Sequence, residues 1–470
     1  MKKLDLWLEE HLNELLSDLD TLVAINSERT DALPGAPFGQ GNADCAAAAM
    51  KIVEKTGMAA RNYENYVVTA DLAPEMDKGL DILAHLDVVP AGEGWQVTEP
   101  FTMKIVDDKV YGRGTADDKG PALCALYAMR AIRELNLPVQ KNARLVLGFD
   151  EECGSGDLDY YFKHEPYAPA SLSPDADFPM INIEKGGLHS GFTSAFKPAD
   201  EGARVMSIAG GLKVNVIPDK ARAVLAGMEL AAVNAQIAAA GDIAGASFTC
   251  EAQQDGTLLL TAHGATGHAS LPEKAVNAIT ALLALLSRLP LAPAPIHDAI
   301  RAVSAVFPHG DCHGKAMGVA LEDEVSGKTV LSLTICHFNA EEGFRGLFDC
   351  RACLSANDEN TTQVIYEAFR KAGVDPVTER KMYAPHHVPE ESQLVQTLLN
   401  VYEDMTGSRP KPLCIGGGTY VHHIDNGIAF GCGFEGLDNR IHAADEFMTI
   451  EQILFTCRIY ARAILALCGA

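Results

Sequence analysis

The sequence lacks the long hydrophobic runs that mark membrane and exported proteins. No stretch reaches the roughly 18 uninterrupted apolar residues that a membrane-spanning helix needs, since even the most apolar region, Ala275 to Leu291, contains Asn277 and Arg288. The first 25 residues also lack the continuous apolar core of a signal peptide, because acidic residues from Asp5 to Asp18 interrupt them. The sequence therefore predicts a protein that does not associate with a membrane.

Cysteine and positive charge are both scarce. Twelve cysteines scattered over 470 residues are too few for a disulfide scaffold, so we expect a protein of the reducing cytoplasm. The pair Cys350 and Cys353 has C-x-x-C spacing but no second pair to complete a zinc site, which favours structural thiols. The 38 Lys and Arg residues against 63 Asp and Glu residues give a formal net charge of −25. Such a surface repels phosphate backbones, which argues against nucleic acid as a partner.

Apolar runs alternate with helical patterns in the first third of the chain, which predicts an α/β fold. Leu80 to Leu86 and Ala143 to Phe149 are typical of buried parallel strands, and Pro121 to Leu135 of a helix between them. After residue 186 the strand-like runs alternate in polarity, and the α/β pattern returns from Ser392. We therefore predict a mixed, mostly parallel sheet flanked by helices, formed by residues 1–186 and 382–470, with an α+β domain inserted at residues 187–381.

Four polar clusters lie at the ends of apolar runs or in adjacent loops. They are His85-Leu86-Asp87, Gly112 to Gly120, Asp150-Glu151-Glu152 and His442 to Glu446. In open α/β sheets, ligands bind in the crevice beyond the carboxyl ends of the strands, so these clusters are expected to converge. The glycine-rich cluster lacks the G-x-x-x-x-G-K-[ST] pattern of a phosphate-binding loop.

The residue types in these clusters indicate a metal site. Imidazole nitrogen combined with carboxylate oxygen, without thiolate, is a ligand set for zinc or manganese, and the excess of carboxylates suits two ions that share a ligand. Asp117 is the candidate bridge because glycines on both sides let the backbone approach closely, while adjacent acids at 151 and 152 divide metal binding from proton transfer. Taken alone, His85 and His442 are more often loop histidines than ligands, and the acidic cluster is more often a solvated loop or a charge cluster at a helix N-terminus.

The order of these clusters resembles the M20 metallopeptidase family from the opening helix to the C-terminus. The strings that carry the resemblance are His85 to Pro90, Gly112 to Gly120, Asp150 to Glu152, Ser173-Pro174-Asp175 and His442 to Glu446. Three further strings resemble the dipeptidases of the PepV type within that family, namely Ser173 to Pro179, Glu184 to Gly186 and Gly416 to Tyr420. The resemblance implies a zinc-peptidase-like catalytic domain and an inserted lid domain.

The resemblance also implies a site with two divalent ions, with zinc the first choice and manganese or cobalt as alternatives. It assigns ligands to one ion from His85, Asp117 and Asp175, and to the other from Asp117, Glu152 and His442. It further implies a cis peptide bond after Asp117. Asp87 is expected to orient His85, and Glu151 to act as the general base on a water that bridges the ions.

Substrate recognition is likewise implied by the resemblance. His268 matches a lid histidine that stabilises the oxyanion, and Asn215 and Arg351 match lid positions that contact substrate, with Arg351 offering a forked contact to a carboxylate. The alternatives are a strand-end histidine for His268 and a salt bridge for Arg351. Backbone amides are expected from Gly417, Gly418 and Thr419. The chain departs from the dipeptidases after Tyr420, where Val421-His422-His423 replaces the usual Ala-Arg.

The function predicted from the sequence is that of a monomeric dipeptidase acting on unmodified dipeptides. The monomer is expected because the inserted region is longer than the dimerisation module of many relatives. Two enzymatic alternatives use the same metal chemistry, an amidohydrolase or aminoacylase acting on N-acyl amino acids and a tripeptide aminopeptidase. A catalytically silent binding protein that keeps the fold is the alternative from another class.

Overall fold

The chain folds into two units, one of which is built from both ends of the sequence. The computed structural model describes residues 2–241 and 243–469. The first unit comprises Met1–Ile183 with His386–Ala470, and the second comprises Glu184–Pro385. The first unit therefore holds all the polar clusters that follow the predicted parallel strands.

A mixed sheet forms the centre of the first unit. Its strands lie in the order Ala59–Tyr63, Val67–Asp71, Asn142–Gly148, Lys78–His85, Ser171–Ser173, Gly427–Ala429, Ile181–Glu184 and His386–His387, and Leu413–Ile415 also pairs with Ile181–Glu184. Pairing is parallel from Asn142–Gly148 to Gly427–Ala429 and antiparallel between Ala59–Tyr63, Val67–Asp71 and Asn142–Gly148. Smaller sheets contain Lys104–Val106, Lys109–Tyr111 and Phe447–Thr449, and Ala176–Asp177 with Cys432–Gly433.

Both faces of this sheet are buried, because its central strands are apolar at successive positions. Side chains alternate between faces along a strand, so Ile82 and Ala84 contact one hydrophobic core and Leu83 contacts another. The helices of this unit are Lys2–Glu10, Leu12–Val23, Gln40–Lys55, Lys119–Glu134, Gly156–Tyr161, Gln393–Thr406 and Ile450–Cys468. The predicted class of a mixed sheet flanked by helices is confirmed for this unit. Parallel pairing is confined to the centre of the sheet, since Gly427–Ala429 pairs antiparallel with Ile181–Glu184.

The second unit is an antiparallel sheet with helices. The strands lie in the order Ser247–Ala252, Leu258–His263, Lys220–Ala226, Arg204–Gly210, Val330–Asn339, Gly343–Ala352, Gly186–Ser194 and Asp375–Pro376. Two short pairs are Val216–Ile217 with Gly267–His268, and Glu322–Asp323 with Gly327–Lys328. The helices are Leu230–Ala240, Ala278–Leu286, Pro295–Val306 and Gln363–Lys371. The unit has its own core, and its α+β composition was predicted.

Several element boundaries differ from the sequence-based expectation. The apolar pattern predicts a long helix from Ala275 to Leu289, but the helix starts at Ala278. The Asn277 side chain caps it there by accepting hydrogen bonds from the backbone N–H groups of residues 279 and 280. The apolar run from Ile428 to Phe434 predicts a single strand, but the strand is interrupted at Gly431, where φ is +79°. Short helical turns are Glu151–Cys153, Pro272–Lys274, Asp358–Thr362 and Tyr420–His423.

Neither a membrane-spanning helix nor a disulfide bond occurs among the described residues. Within residues 2–241 and 243–469, every helix is too short or too polar to cross a membrane. The twelve cysteines all lie in these ranges, and each is a free thiol.

Candidate metal centre

Three of the predicted ligands lie at one edge of the sheet of the first unit, where its parallel strands end. His85 is the last residue of Lys78–His85, and Glu152 lies in the turn that follows Asn142–Gly148. Asp175 comes two residues after Ser171–Ser173, which also pairs in parallel with Lys78–His85. Because these strands run in the same direction side by side, their carboxyl ends coincide and their following residues meet.

The first group of candidate ligands comprises His85, Asp117 and Asp175. Nε2 of His85 lies 3.0 Å from Oδ1 of Asp117 and 3.8 Å from Oδ2 of Asp175. One ligand atom from each of the three residues lies within 4.8 Å of the others. These separations are compatible with a single ion bound by one nitrogen and two oxygens.

The second group comprises Asp117, Glu152 and His442, and it shares its aspartate with the first. Nε2 of His442 lies 3.0 Å from Oδ2 of Asp117 and 3.1 Å from Oε1 of Glu152. Asp117 thus directs one oxygen toward His85 and the other toward His442. The arrangement is that of a carboxylate shared between two neighbouring cation positions.

The hydrogen-bonding of His85 supports metal binding independently of the ligand count. The residue is buried, and its Nδ1 lies 3.0 Å from the backbone oxygen of Asp87, so Nδ1 must donate the hydrogen bond. Among the described residues, Nε2 has no hydrogen-bond partner of acceptable geometry, although it faces two carboxylates. In the neutral ring Nε2 is therefore an acceptor directed at other acceptors, which is unfavourable unless a cation lies between them.

The electrostatics of the cluster indicate the same need for positive charge. Burial, together with the charge of Asp117, raises the pKa of Asp175 to about 7. Burial likewise raises the pKa values of Glu151 and Glu152. Hydrogen bonds to Asp117 and Glu152 raise the pKa of His442 to about 11. Divalent cations would relieve this repulsion between carboxylates, so the residues present fit a two-metal centre.

Asp87 contacts both His85 and the segment that carries Glu151 and Glu152. Its Oδ1 lies 3.4 Å from Nδ1 of His85. Its two carboxylate oxygens also accept hydrogen bonds from the backbone N–H groups of Glu151 and Glu152, at 3.2 and 3.1 Å. Glu151 itself lies outside both ligand groups. The buried aspartate therefore fixes Glu151 and Glu152 relative to His85.

Glu446 shapes the loop that carries Asp117, a role that the sequence did not suggest. One of its carboxylate oxygens accepts hydrogen bonds from the backbone N–H groups of Gly114, Ala116 and Asp117, at 3.0, 2.9 and 3.2 Å. The other accepts a 2.6 Å hydrogen bond from Nη1 of Arg113, and both charged side chains are fully buried. The peptide bond between Asp117 and Asp118 is cis, as the resemblance implied.

The glycine segment predicted to contact substrate also lies in the first unit. Gly417, Gly418 and Thr419 connect the strand Leu413–Ile415 to the helical turn at Tyr420. The Tyr420 ring packs edge-on against the His85 ring, with 6.2 Å between the ring centroids. The segment therefore ends directly beside a candidate metal ligand.

Asn215 and His268 meet inside the second unit. Val216 pairs with His268 across a short antiparallel bridge, and the backbone oxygen of Asn215 accepts a 2.9 Å hydrogen bond from the Ala269 N–H group. His268 is exposed, and its Nδ1 lies 2.6 Å from the Ser270 hydroxyl oxygen. The two predicted lid residues thus belong to one local structure.

Arg351 forms a salt bridge within the second unit, which was the alternative to its predicted contact with substrate. Its Nε and Nη2 groups donate hydrogen bonds of 2.7 and 2.8 Å to the two carboxylate oxygens of Asp349, which is fully buried. Its Nη1 group donates to the hydroxyl of Tyr383 at 3.1 Å. The forked edge of the guanidinium is therefore occupied by an internal carboxylate.

Comparison with known proteins connects this site to a family. The model of peptidase family M20/M25/M40 matches residues 82–466. YtjP of Bacillus subtilis (strain 168), provisionally named a dipeptidase, is 33% identical over 458 residues, which cover 96% of each chain. The Beta-Ala-Xaa dipeptidase of Lactobacillus delbrueckii subsp. lactis is 33% identical over 473 residues, which cover 97% of this chain and 96% of the relative.

Solved structures agree on the fold. Human carnosine dipeptidase 1 superposes with a TM-score of 0.58 at 17% identity, over 99% of this chain and 98% of that one. The di-peptidase Dug1p of Saccharomyces cerevisiae gives a TM-score of 0.57 at 14% identity over the same shares. The predicted resemblance and the prediction of a metallopeptidase-type hydrolase are both confirmed. The chain belongs to peptidase family M20/M25/M40.

Proposed function

We propose that the protein is a dinuclear metal-dependent dipeptidase that hydrolyses unmodified dipeptides. The observation that carries the proposal is the Asp117 carboxylate, whose two oxygens face His85 on one side and His442 on the other. The dipeptidase names of two relatives that match nearly the whole chain support the choice of substrate class.

In this proposal His85, Asp117 and Asp175 would hold one ion, and Asp117, Glu152 and His442 would hold the other. Nitrogen and carboxylate donors in small number suit zinc, while manganese and cobalt are alternatives because oxygen-rich sites accept several ions. When bound, divalent ions supply Lewis acidity and make water in the site easier to deprotonate.

Glu151 is the general base in this proposal. It lies next to a ligand in sequence without belonging to either ligand group, and its backbone N–H is held by Asp87. Its carboxylate takes a proton from the attacking water and passes that proton to the leaving amine.

Substrate recognition involves the predicted glycine segment and the predicted lid residues. In the proposal Arg351 and the backbone amides of Gly417, Gly418 and Thr419 bind the substrate carboxylate. His268 donates to the developing oxyanion. Asn215 contacts the substrate from the same local structure, since its backbone oxygen accepts a hydrogen bond from the N–H group of Ala269, the residue after His268. Arg351 remains a predicted substrate contact in this proposal, and its guanidinium also binds Asp349 and Tyr383.

A substrate panel tests the proposed specificity. After chelation and re-addition of zinc, manganese or cobalt, we expect Ala-Ala to be hydrolysed about 10²-fold more efficiently than Ala-Ala-Ala or N-acetyl-alanine, as kcat/KM. The physical reason is that each larger or acylated analogue leaves a polar group of the site unpaired. Preference for N-acetyl-alanine would identify an amidohydrolase, and preference for Ala-Ala-Ala a tripeptide aminopeptidase. A wild-type protein that binds metal but turns over none of them would instead be a binding protein.

We also propose that the enzyme acts as a monomer in the cytoplasm. The long inserted region supports the monomer, on the reasoning that its lid supplies what a partner subunit provides in dimeric relatives. The free state of all twelve cysteines is compatible with a reducing compartment. Gel filtration in dilute buffer is expected to give the mass of one chain, and elution at twice that mass would contradict the monomer.

A further inference from the structure

Two buried aspartates hold four consecutive backbone N–H groups of residues 149–152, which we call the base segment. Oδ2 of Asp157 accepts hydrogen bonds from the N–H groups of Phe149 and Asp150, at 2.5 and 2.8 Å. Asp87 accepts those of the next two residues, Glu151 and Glu152. The base segment is therefore fixed at four successive points by carboxylates from two different parts of the chain.

Asp157 is itself anchored by Tyr420. The Tyr420 hydroxyl donates a hydrogen bond to the same Oδ2 atom of Asp157 that accepts from the base segment. Both side chains are buried, and Asp157 is 0% exposed. Tyr420 follows the segment Gly417 to Thr419 directly, and its ring contacts His85. The Asp157–Tyr420 pair thus ties the base segment to the proposed carboxylate-binding segment.

The side chains of Asp157 and Tyr420 approach the backbone of the central sheet at Gly148. Gly148 ends the strand Asn142–Gly148, immediately before the base segment. A Cβ atom at Gly148 would overlap with both the Tyr420 hydroxyl oxygen and Oδ2 of Asp157. The close approach of the two side chains to the backbone therefore depends on glycine at this point.

We propose that Asp157 and Tyr420 are positioning residues for Glu151, an inference that rests on the proposed role of Glu151 as the base. Neither side chain belongs to the ligand groups. Their hydrogen bonds fix the direction in which the backbone enters residue 151, and hence the place of its carboxyl group. Small displacements of a reacting group are costly in rate, since an error of about 1 Å can lower it about 10²-fold.

The plainer interpretation is that the pair only stabilises the fold, and the chain offers a matched control for it. The buried hydroxyl of Tyr127 donates a 2.7 Å hydrogen bond to Asp18, another buried aspartate of the same unit. Tyr127→Phe therefore removes the same kind of bond as Tyr420→Phe. The difference is that Asp18 does not contact the base segment through any hydrogen bond among the described residues.

The kinetic test compares these two variants in two backgrounds. We expect Tyr420→Phe to lower kcat about 10-fold while KM changes less than about twofold, and Tyr127→Phe to leave both unchanged. In a Glu151→Gln background, Tyr420→Phe should lower the residual kcat by less than about twofold, because the group that it positions is gone. An equal loss in both backgrounds, or an equal loss from Tyr127→Phe, would overturn the proposal.

An activity-independent measurement separates this inference from the dipeptidase proposal. Native-state hydrogen exchange reports local opening of backbone hydrogen bonds. We expect the amides of Phe149 and Asp150 to exchange at least about 10-fold faster in Tyr420→Phe and in Asp157→Asn than in the wild type. Unchanged exchange in Tyr420→Phe would refute the link even if Asp157→Asn fails to fold. Failure of the wild type to hydrolyse dipeptides would refute the proposed function and leave this result unaffected.

Discussion

Replacing Asp117 with alanine is expected to abolish binding of both metal ions and to lower kcat/KM at least about 10³-fold. The reason is geometric. One oxygen of Asp117 lies 3.0 Å from Nε2 of His85, and the other lies 3.0 Å from Nε2 of His442. Each candidate position therefore loses a ligand, and the remaining side chains of each group cannot complete the coordination of a divalent ion on their own.

Comparison with His442→Ala makes this expectation specific to a shared ligand. His442 belongs only to the second group, so its loss should reduce the content of dialysed protein from two ions to one. Asp177→Ala is the control, because Asp177 is an exposed acid two residues beyond the ligand Asp175 and belongs to neither group. Elemental analysis of the dialysed proteins provides the measurement. Two retained ions in Asp117→Ala would show that the residue does not bridge.

The convergence of the candidate ligands could be predicted from where parallel strands end. His85, Glu152 and Asp175 each follow an apolar run, and parallel strands place such positions at one edge of a sheet whatever their separation in the chain. The same rule predicted the mixed sheet, since buried parallel strands are apolar at consecutive positions. The convergence of the clusters and the class of the sheet could be inferred because both depend only on local patterns of apolar and polar residues.

The residues that hold the segments carrying the candidate site residues could not be predicted in this way. Glu446 lies 333 residues from Arg113, and Tyr420 lies 263 residues from Asp157. Glu446 and Asp157 act mainly by accepting hydrogen bonds from backbone N–H groups, and every non-proline residue carries such a group. No sequence pattern therefore indicates which carboxylates are buried and which are exposed to solvent.

The salt bridge of Arg351 could have been predicted from the spacing of Asp349 and Arg351 in the sequence. Residues two apart on a strand point to the same face, and Asp349 precedes Arg351 by two within the strand Gly343–Ala352. An acidic side chain beside a guanidinium on one face forms an ion pair readily. The internal engagement of the guanidinium could thus have been expected once the strand was assigned.

Glu151→Gln is expected to keep both metal ions and to lower kcat at least about 10²-fold, because glutamine matches the shape of the base but cannot accept and release a proton. Metal retention follows from the position of Glu151 outside both ligand groups. Glu152→Gln is the matched comparison on the adjacent residue, and it should weaken metal binding because Glu152 faces His442 at 3.1 Å. Metal content and kcat measured on both variants separate proton transfer from coordination. An unchanged kcat in Glu151→Gln would show that Glu151 is not the general base. The hydrogen bonds to the backbone N–H groups of residues 149–152 would then not serve to position a base.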